Sequence, residues 1–203
     1  MEFLAGNRIR GLNTEKTSTT TTDITWDSTT AINVSISGNT VTGTGTGAWD
    51  KVARSTQTWT PSDAPTLDFT SAGTGSLMAG FGKGTLGTNH TTIDFALYSS
   101  DRVWENGSQV FSNSTVPSSS DTLKITMDSN GLVKYWVNGA VIYTSTQTAS
   151  GTYYAQFATA SVGKSATMTF ALSSPINTVD GSIFYATDTN KSYVLYNGSW
   201  TEL

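Results

Sequence analysis

Apolar and polar residues alternate with a period of two along most of the chain, the pattern of strands with one buried face. Ile32-Asn33-Val34-Ser35-Ile36 alternates, Gly38-Asn39 turns, and Thr40-Val41-Thr42 resumes. Two such runs about a short turn predict a hairpin. Residues 52–59 carry the next strand, and Pro61 and Pro65 break it, since proline cannot donate to a ladder. Thr66-Leu67-Asp68-Phe69 is short. Ser76-Leu77-Met78-Ala79-Gly80-Phe81 is nearly continuous apolar and predicts a central strand buried on both faces. Residues 82–89 form a glycine-rich loop.

The second half alternates more cleanly. Thr92-Ile93-Asp94-Phe95-Ala96-Leu97-Tyr98 is followed by a hairpin whose corner is Asn106-Gly107. Leu123, Ile125 and Met127 share one face, Asp128-Ser129-Asn130-Gly131 turns the chain, and Asn138-Gly139 turns it again. Three strands joined by such corners predict an antiparallel meander. Residues 153–158 and 166–172 supply the last strands, and no run of ten residues carries a helical period. After Pro175, residues 181–186, 192–196 and 199–202 read as three short strands. Alone they are marginally stable, so Tyr185, Tyr193, Tyr196 and Trp200 need cover. The N-terminal arm is the candidate: Phe3, Leu4, Ile9 and Leu12 lie in one or two short strands about Gly6-Asn7. Residues 17–22, a Ser/Thr run, read as an extended linker. The expected fold is all-β. A two-sheet antiparallel jelly-roll sandwich (23–174) lies between an extended N-terminal arm (1–22) and a small C-terminal three-strand β-meander (175–203).

Composition narrows the function. Of 203 residues only 13% are charged, the net charge is −4, and no run of Lys or Arg exists. The electrostatic footprint of a nucleic-acid binder is missing. With no cysteine there is neither a disulfide framework nor thiol chemistry. Met1-Glu2-Phe3-Leu4 has an acid where a secretory signal has bases, and no stretch approaches a membrane span. A protein reaching the outside without a signal would do so by lysis or inside a virion; a processed mature chain is the other option.

The stretch Asp121-Thr-Leu-Lys-Ile-Thr-Met-Asp-Ser-Asn-Gly-Leu-Val-Lys-Tyr-Trp-Val-Asn-Gly-Ala-Val-Ile-Tyr resembles the concanavalin A-like lectin/glucanase superfamily in its laminin-G-like form. The Trp49 strand, Met78-Ala79-Gly80-Phe81 and the hairpin over residues 98–107 add to the likeness, which covers roughly residues 24–173. The segment beginning Asp180-Gly-Ser-Ile-Phe-Tyr and ending Tyr-Asn-Gly-Ser-Trp200 resembles a short module of phage and environmental-virus structural proteins. Residues 5–12 (Ala-Gly-Asn-Arg-Ile-Arg-Gly-Leu) match the N-terminus that often precedes it. The resemblance implies a jelly roll inserted into a small virion-associated scaffold.

The superfamily includes glucanases, whose chemistry depends on paired acids. Retaining hydrolysis needs two carboxyl groups about 5–5.5 Å apart, which strands supply as E-x-D-x-x-E. Glu occurs only at 2, 15, 105 and 202, and Asp94 has Ala96 two residues on. The expectation is no enzyme, with Asp101 and Glu105 solvated at a hairpin. Asp128 and Asn130 have oxygens that calcium accepts, but an Asx turn explains the same residues without an ion; no cofactor is expected. His90, the only histidine, reads as a loop residue, so no triad can form. Tyr98, Trp104, Glu105 and Asn106 sit near one hairpin and form the candidate ligand patch, because sugar faces stack on rings. Trp49 and Asp50, after the Gly/Thr loop, are a second candidate for such a surface; the other reading makes Trp49, Trp59 and Trp136 core or sheet-covering, and for Trp49 and Trp136 the core is the expectation.

Together these readings point to a virion structural protein in a tail fibre, spike or capsid decoration, at the virion surface or outside cells, with a lectin-like receptor-binding domain for a host-surface glycan. Its partners would be further copies in a homo-oligomer and other virion subunits, joined by strand exchange through Phe3, Leu4, Ile9, Leu12, Tyr185, Tyr193, Tyr196 and Trp200. Neither nucleic acid nor membrane is an expected partner. The alternatives are a cellular extracellular filament subunit or adhesin, which genomic neighbourhood separates from a viral protein, and a glycan hydrolase.

Overall fold

The alternation becomes strands, and no α-helix occurs among the described residues. The structure is a computed structural model that describes residues 2–4, 8–11, 17–73, 75–84, 86–87, 89–99, 102–112, 121–175, 181–197 and 199–203. In chain order the strands are β1 (Glu2–Leu4), β2 (Arg8–Gly11), β3 (Thr17–Asp23), β4 (Val34–Ser37), β5 (Thr40–Gly43), β6 (Lys51–Arg54) and β7 (Pro65–Ala72). β8 (Leu77–Gly82), β9 (Phe95–Tyr98), β10 (Arg102–Glu105), β11 (Ser108–Ser112), β12 (Leu123–Met127) and β13 (Leu132–Val137) follow. The last are β14 (Ala140–Thr148), β15 (Tyr154–Thr159), β16 (Ser165–Pro175), β17 (Ile183–Ala186), β18 (Lys191–Tyr196) and β19 (Ser199–Glu202). Two compact units result, one of residues 21–171 and one of residues 1–20 with 172–203.

The larger unit is a jelly-roll sandwich. One sheet runs β11-β10-β9-β8-β15-β6, and the other runs β14-β13-β12-β7-β16-β5-β4 with β3 beside β16. Phe81, Phe95, Leu97, Val103 and Phe157 of the first sheet and Leu67, Phe69, Leu123, Ile125, Val133 and Tyr135 of the second are buried. Each such side chain contributes about 1.5–3 kcal/mol of hydrophobic stabilisation. Trp59, 3% exposed, bridges the layers: its ring lies 6.3 Å from Phe81 and 4.7 Å from Phe170. The run read as a central strand is β8, buried at every position between β9 and β15. Gly80 is required there, because a Cβ would collide with the Phe95 carbonyl of β9. Asn106-Gly107 and Asn138-Gly139 have positive φ at both residues (48° and 77°, 50° and 80°), the type I′ geometry that matches strand twist.

Three expectations are corrected. The Ser/Thr run is strand β3, not a linker, as the β-branched residues favour. The strand expected over 52–59 ends at Arg54 and continues only as isolated bridges from Ser55 to Trp26 and from Trp59 to Tyr153. Trp136 is half-buried rather than core: with Val133 and Tyr135 directed inward, the period of two turns it to the outer face of its sheet, where its Nε1 donates to Thr126 Oγ1 at 3.0 Å.

The smaller unit is a five-stranded sheet in the order β1-β2-β17-β18-β19. β2 pairs in parallel with β17 of the same chain, Ile9 beside Phe184, so the arm supplies two strands to the C-terminal meander. Ile9, Phe184, Ala186 and Tyr193 form a buried cluster joined by Trp200. Tyr185 and Tyr196 are exposed, at 38% and 66%. In β1, Phe3 pairs with Ile9 and Leu4 with Arg8; Leu12 lies outside the described residues.

Candidate functional site

The strand period decides which of the hairpin residues can act together. On β10, Val103 and Glu105 are buried and Trp104 is turned to the opposite, outer face. Trp104 pairs with Ala96, Ala96 with Gly80, Gly80 with Gln156, and Gln156 with Arg54. These five residues form one row across β10, β9, β8, β15 and β6. The adjacent row is Arg102, Tyr98, Met78, Ala158 and Val52. In the middle of these rows Val52, Met78, Ala96 and Ala158 are buried in a cluster with Ile93, against which Trp49, Leu86, Tyr98 and Trp104 pack. The distance from β10 to β15, three strand spacings, is about 14 Å.

The rings form a continuous strip. Trp49 lies 4.3 Å from His90 and 5.7 Å from Tyr98, and His90 meets Trp104 edge-on at 5.4 Å. All four are half-buried. Trp49 has φ +59°, a strained conformation for a bulky residue of the kind that concentrates at functional sites. Its expected place in the core is corrected: the Gly/Thr loop before it lays the ring on this outer face. Tyr98 is held by a 2.6 Å hydrogen bond between its hydroxyl and Ser76 Oγ, with the Arg102 guanidinium 5.8 Å above its ring. Burial lowers the His90 pKa below the ordinary imidazole value, so the ring among the aromatics stays neutral.

Glu105 is not solvated, contrary to expectation. It is 1% exposed and points between the sheets. Its Oε1 accepts from the Tyr135 hydroxyl at 3.0 Å and its Oε2 from Gln147 Nε2 at 3.2 Å. It therefore shares no face with Trp104, although the two are adjacent in sequence. Burial and the neighbouring Glu105 charge push the Tyr135 phenol well above its usual range. Asn106, exposed at the hairpin corner, donates through Nδ2 to Gln147 Oε1, so Asn106, Gln147, Glu105 and Tyr135 form one chain of bonds from rim to interior.

Asp128 is committed to its turn. Its Oδ1 accepts from the backbone N–H of Asn130 and of Leu132, both at 2.9 Å, the Asx arrangement. Among the described residues no group of three or more His, Cys, Asp and Glu could hold a metal ion.

The structure thus brings Tyr98 and Trp104 together, places Asn106 at the rim, and separates Glu105. Gln156, Arg54 and His90 were not singled out from the sequence as site residues. Their signal exists only in the register, because Gln156 and Trp104 are 52 positions apart and meet through β8 and β9.

No protein-family model matches the chain, and no curated protein matches it. Solved structures do. A human SPRY domain aligns at 10% identity over 70% of this chain and 95% of that one, with a TM-score of 0.52. The SPRY domain of human HERC1 aligns at 11% over 76% and 99%, TM-score 0.53. The exoplasmic/lumenal domain of VIP36, in its Ca2+/Man3GlcNAc-bound form, aligns at 11% over 72% and 82%, TM-score 0.50. At these identities the likeness shows the fold alone: the chain carries a jelly-roll sandwich, the architecture of these SPRY and exoplasmic/lumenal domains.

Proposed function

We propose that the sandwich is a glycan-binding module and that the chain is a virion structural protein, placed at the virion surface or outside cells, with no catalytic role. The observation that carries the binding reading is the aromatic strip of Trp49, His90, Tyr98 and Trp104 on the outer face of the six-stranded sheet. Half-exposed rings take the apolar face of a sugar, while nearby amides and hydroxyls serve its hydroxyl groups. A glycan-bound VIP36 domain has the same fold, which supports the reading without assigning the ligand. The resemblance of residues 5–12 and of the C-terminal segment to virus structural proteins supports the virion setting. Assembly into a homo-oligomer through the five-stranded sheet is part of the same proposal, since β1 and β19 are its terminal strands among the described residues and a terminal strand is where a neighbour's strand can add.

A glycan array with wild type and Trp104→Ala tests the binding reading. Binding that falls at least about tenfold in Trp104→Ala, and persists in Trp136→Ala on the other sheet, supports it. Equal binding by both variants contradicts it. Light scattering on a chain lacking residues 1–16 tests assembly; an unchanged oligomer size contradicts that part.

A further inference from the structure

A tryptophan in the left-handed region needs something to hold it there, because a bulky residue at positive φ is strained and persists only where its surroundings over-determine it. Trp49, at φ +59°, lies in a loop that two side chains tie down from opposite sides. The first is Lys51, at the start of β6. Its neighbour Val52 belongs to the outer cluster with Ile93, so the period of two sends the Lys51 stem the other way, between the sheets. There Lys51 is 0% exposed and passes beneath Gly43, where a Cβ would collide with its Cδ. Its ammonium donates to the Gly47 carbonyl and, at 2.9 Å, to Asp50 Oδ1.

The second is Asn33. Its Nδ2 donates to Asp50 Oδ2 at 3.0 Å and to the Asp50 carbonyl at 3.3 Å. Its own carbonyl accepts from the N–H groups of Thr44 at 2.8 Å and Gly45 at 3.3 Å. Glycines make room for these bonds: a Cβ on Gly45 would collide with the Asn33 side chain, and one on Gly47 with the Asp50 carboxylate. One ammonium thus gathers a group two residues before Trp49 and a group one residue after it, while the Asn33 amide fixes the same carboxylate from the other side. The turn closed in this way has its left-handed residue at Trp49, and the ring is laid against His90 at 4.3 Å and Tyr98 at 5.7 Å.

We infer that Lys51, Asp50 and Asn33 are positioning residues of the glycan site, acting by holding Trp49 in the aromatic strip rather than by touching the sugar. The inference rests on the glycan-binding reading above. A ring fixed before the ligand arrives loses little freedom on binding, whereas a loose ring is immobilised at the expense of affinity. The buried ammonium suits the task, because its bonds to the loop are sheltered from the solvent competition that weakens surface ion pairs.

The test uses the full chain. Lys51→Met keeps the unbranched stem and removes the ammonium; the Asp50 side chain, 32% exposed, keeps water as a partner, so no buried charge is orphaned. The Trp49 indole N–H signal, assigned by Trp49→Phe, is expected to move or broaden as the ring leaves His90 and Tyr98, while the signal of Trp59 in the core stays in place. Affinity for the best glycan of the array is expected to fall roughly fivefold or more. In a Trp49→Ala background Lys51→Met adds no further loss, because it acts through that ring; where that background leaves no binding to measure, the first two readouts decide. An unmoved Trp49 signal, a moved signal with unchanged affinity, or an equal loss in both backgrounds overturns the inference and leaves the glycan-binding reading standing. If loss of the Trp59 signal shows that Lys51→Met does not fold, Asn33→Gly, which suits the φ of +52° at that position, decides by the same readouts. A wild-type chain that binds no glycan of the array overturns both.

Discussion

Replacing Tyr135 by phenylalanine removes one oxygen from between the two sheets, and the structure sets what that costs. Glu105 is enclosed at 1% exposure and has two donors, the Tyr135 hydroxyl at 3.0 Å and Gln147 Nε2 at 3.2 Å. A hydrogen bond to a charged group contributes about 1.5–3 kcal/mol, and an orphaned buried acceptor adds its desolvation. Tyr135→Phe is therefore expected to destabilise the sandwich by about 2 kcal/mol. For a unit of this size that lowers the melting temperature by about 4–8 °C. Urea unfolding at pH 7 reads the free energy. A double-mutant cycle with Glu105→Leu isolates the pair, because once the carboxylate is gone the phenol has no partner to lose and Tyr135→Phe becomes nearly neutral. The alkaline limb gives a second reading. The folded phenol titrates well above its ordinary value. Above about pH 10 the unfolded chain therefore loses the Tyr135 proton while the native state keeps it, and stability falls as pH rises. Tyr135→Phe lacks that contribution and loses less over the same range. A cost below about 0.5 kcal/mol in both Glu105 backgrounds, with parallel alkaline slopes, would refute the reasoning.

Further outcomes follow from other positions. Gly80→Ala places a methyl group against the Phe95 carbonyl at the centre of the sheet and is expected to cost about 3 kcal/mol or more, read by denaturation or by loss of soluble protein. Asp128→Ala removes two backbone hydrogen bonds and is expected to cost about 1–3 kcal/mol. Millimolar calcium leaves the wild-type melting temperature unchanged if the turn needs no ion, and a rise restores the metal reading. His90 is the only histidine, and burial lowers its pKa. Below the ordinary value of about 6.5 the unfolded chain takes up a proton that the native state refuses, so stability falls as pH drops through that region. The same titration of His90→Phe, with a shallower slope, isolates the effect; parallel slopes contradict it.

The sequence announced those features that depend on local chemistry. A continuous apolar run marked β8, period-two runs marked β12 and β13, and Asn-Gly corners marked two hairpins that adopt type I′ geometry. It could not show which strands become neighbours across the chain. Gln156 reads as one more polar residue in an alternating strand until β15 is seen beside β8 and β6. The burial of Glu105 is not legible in the sequence, because a hairpin-flanking acid is ordinarily solvated and its partner Tyr135 is 30 residues away on the other sheet. The places of Trp49 and Trp136 are hidden in the same way: ring size argues for burial, while each strand's phase and the preceding loop decide which face a ring takes. In the Thr run low complexity suggests a linker, yet β-branching suits an added strand.

The six tryptophan indole N–H groups offer the most direct test of the claim that the outer face of the six-stranded sheet receives a sugar. Their resonances, assigned by single substitutions, can be followed while an oligosaccharide found by the array is titrated into the full chain. The expected result is that the Trp104 and Trp49 signals move together with a single dissociation constant, while those of Trp136 and Trp200 stay in place. Movement of Trp136 alone, on the opposite sheet, would contradict the account.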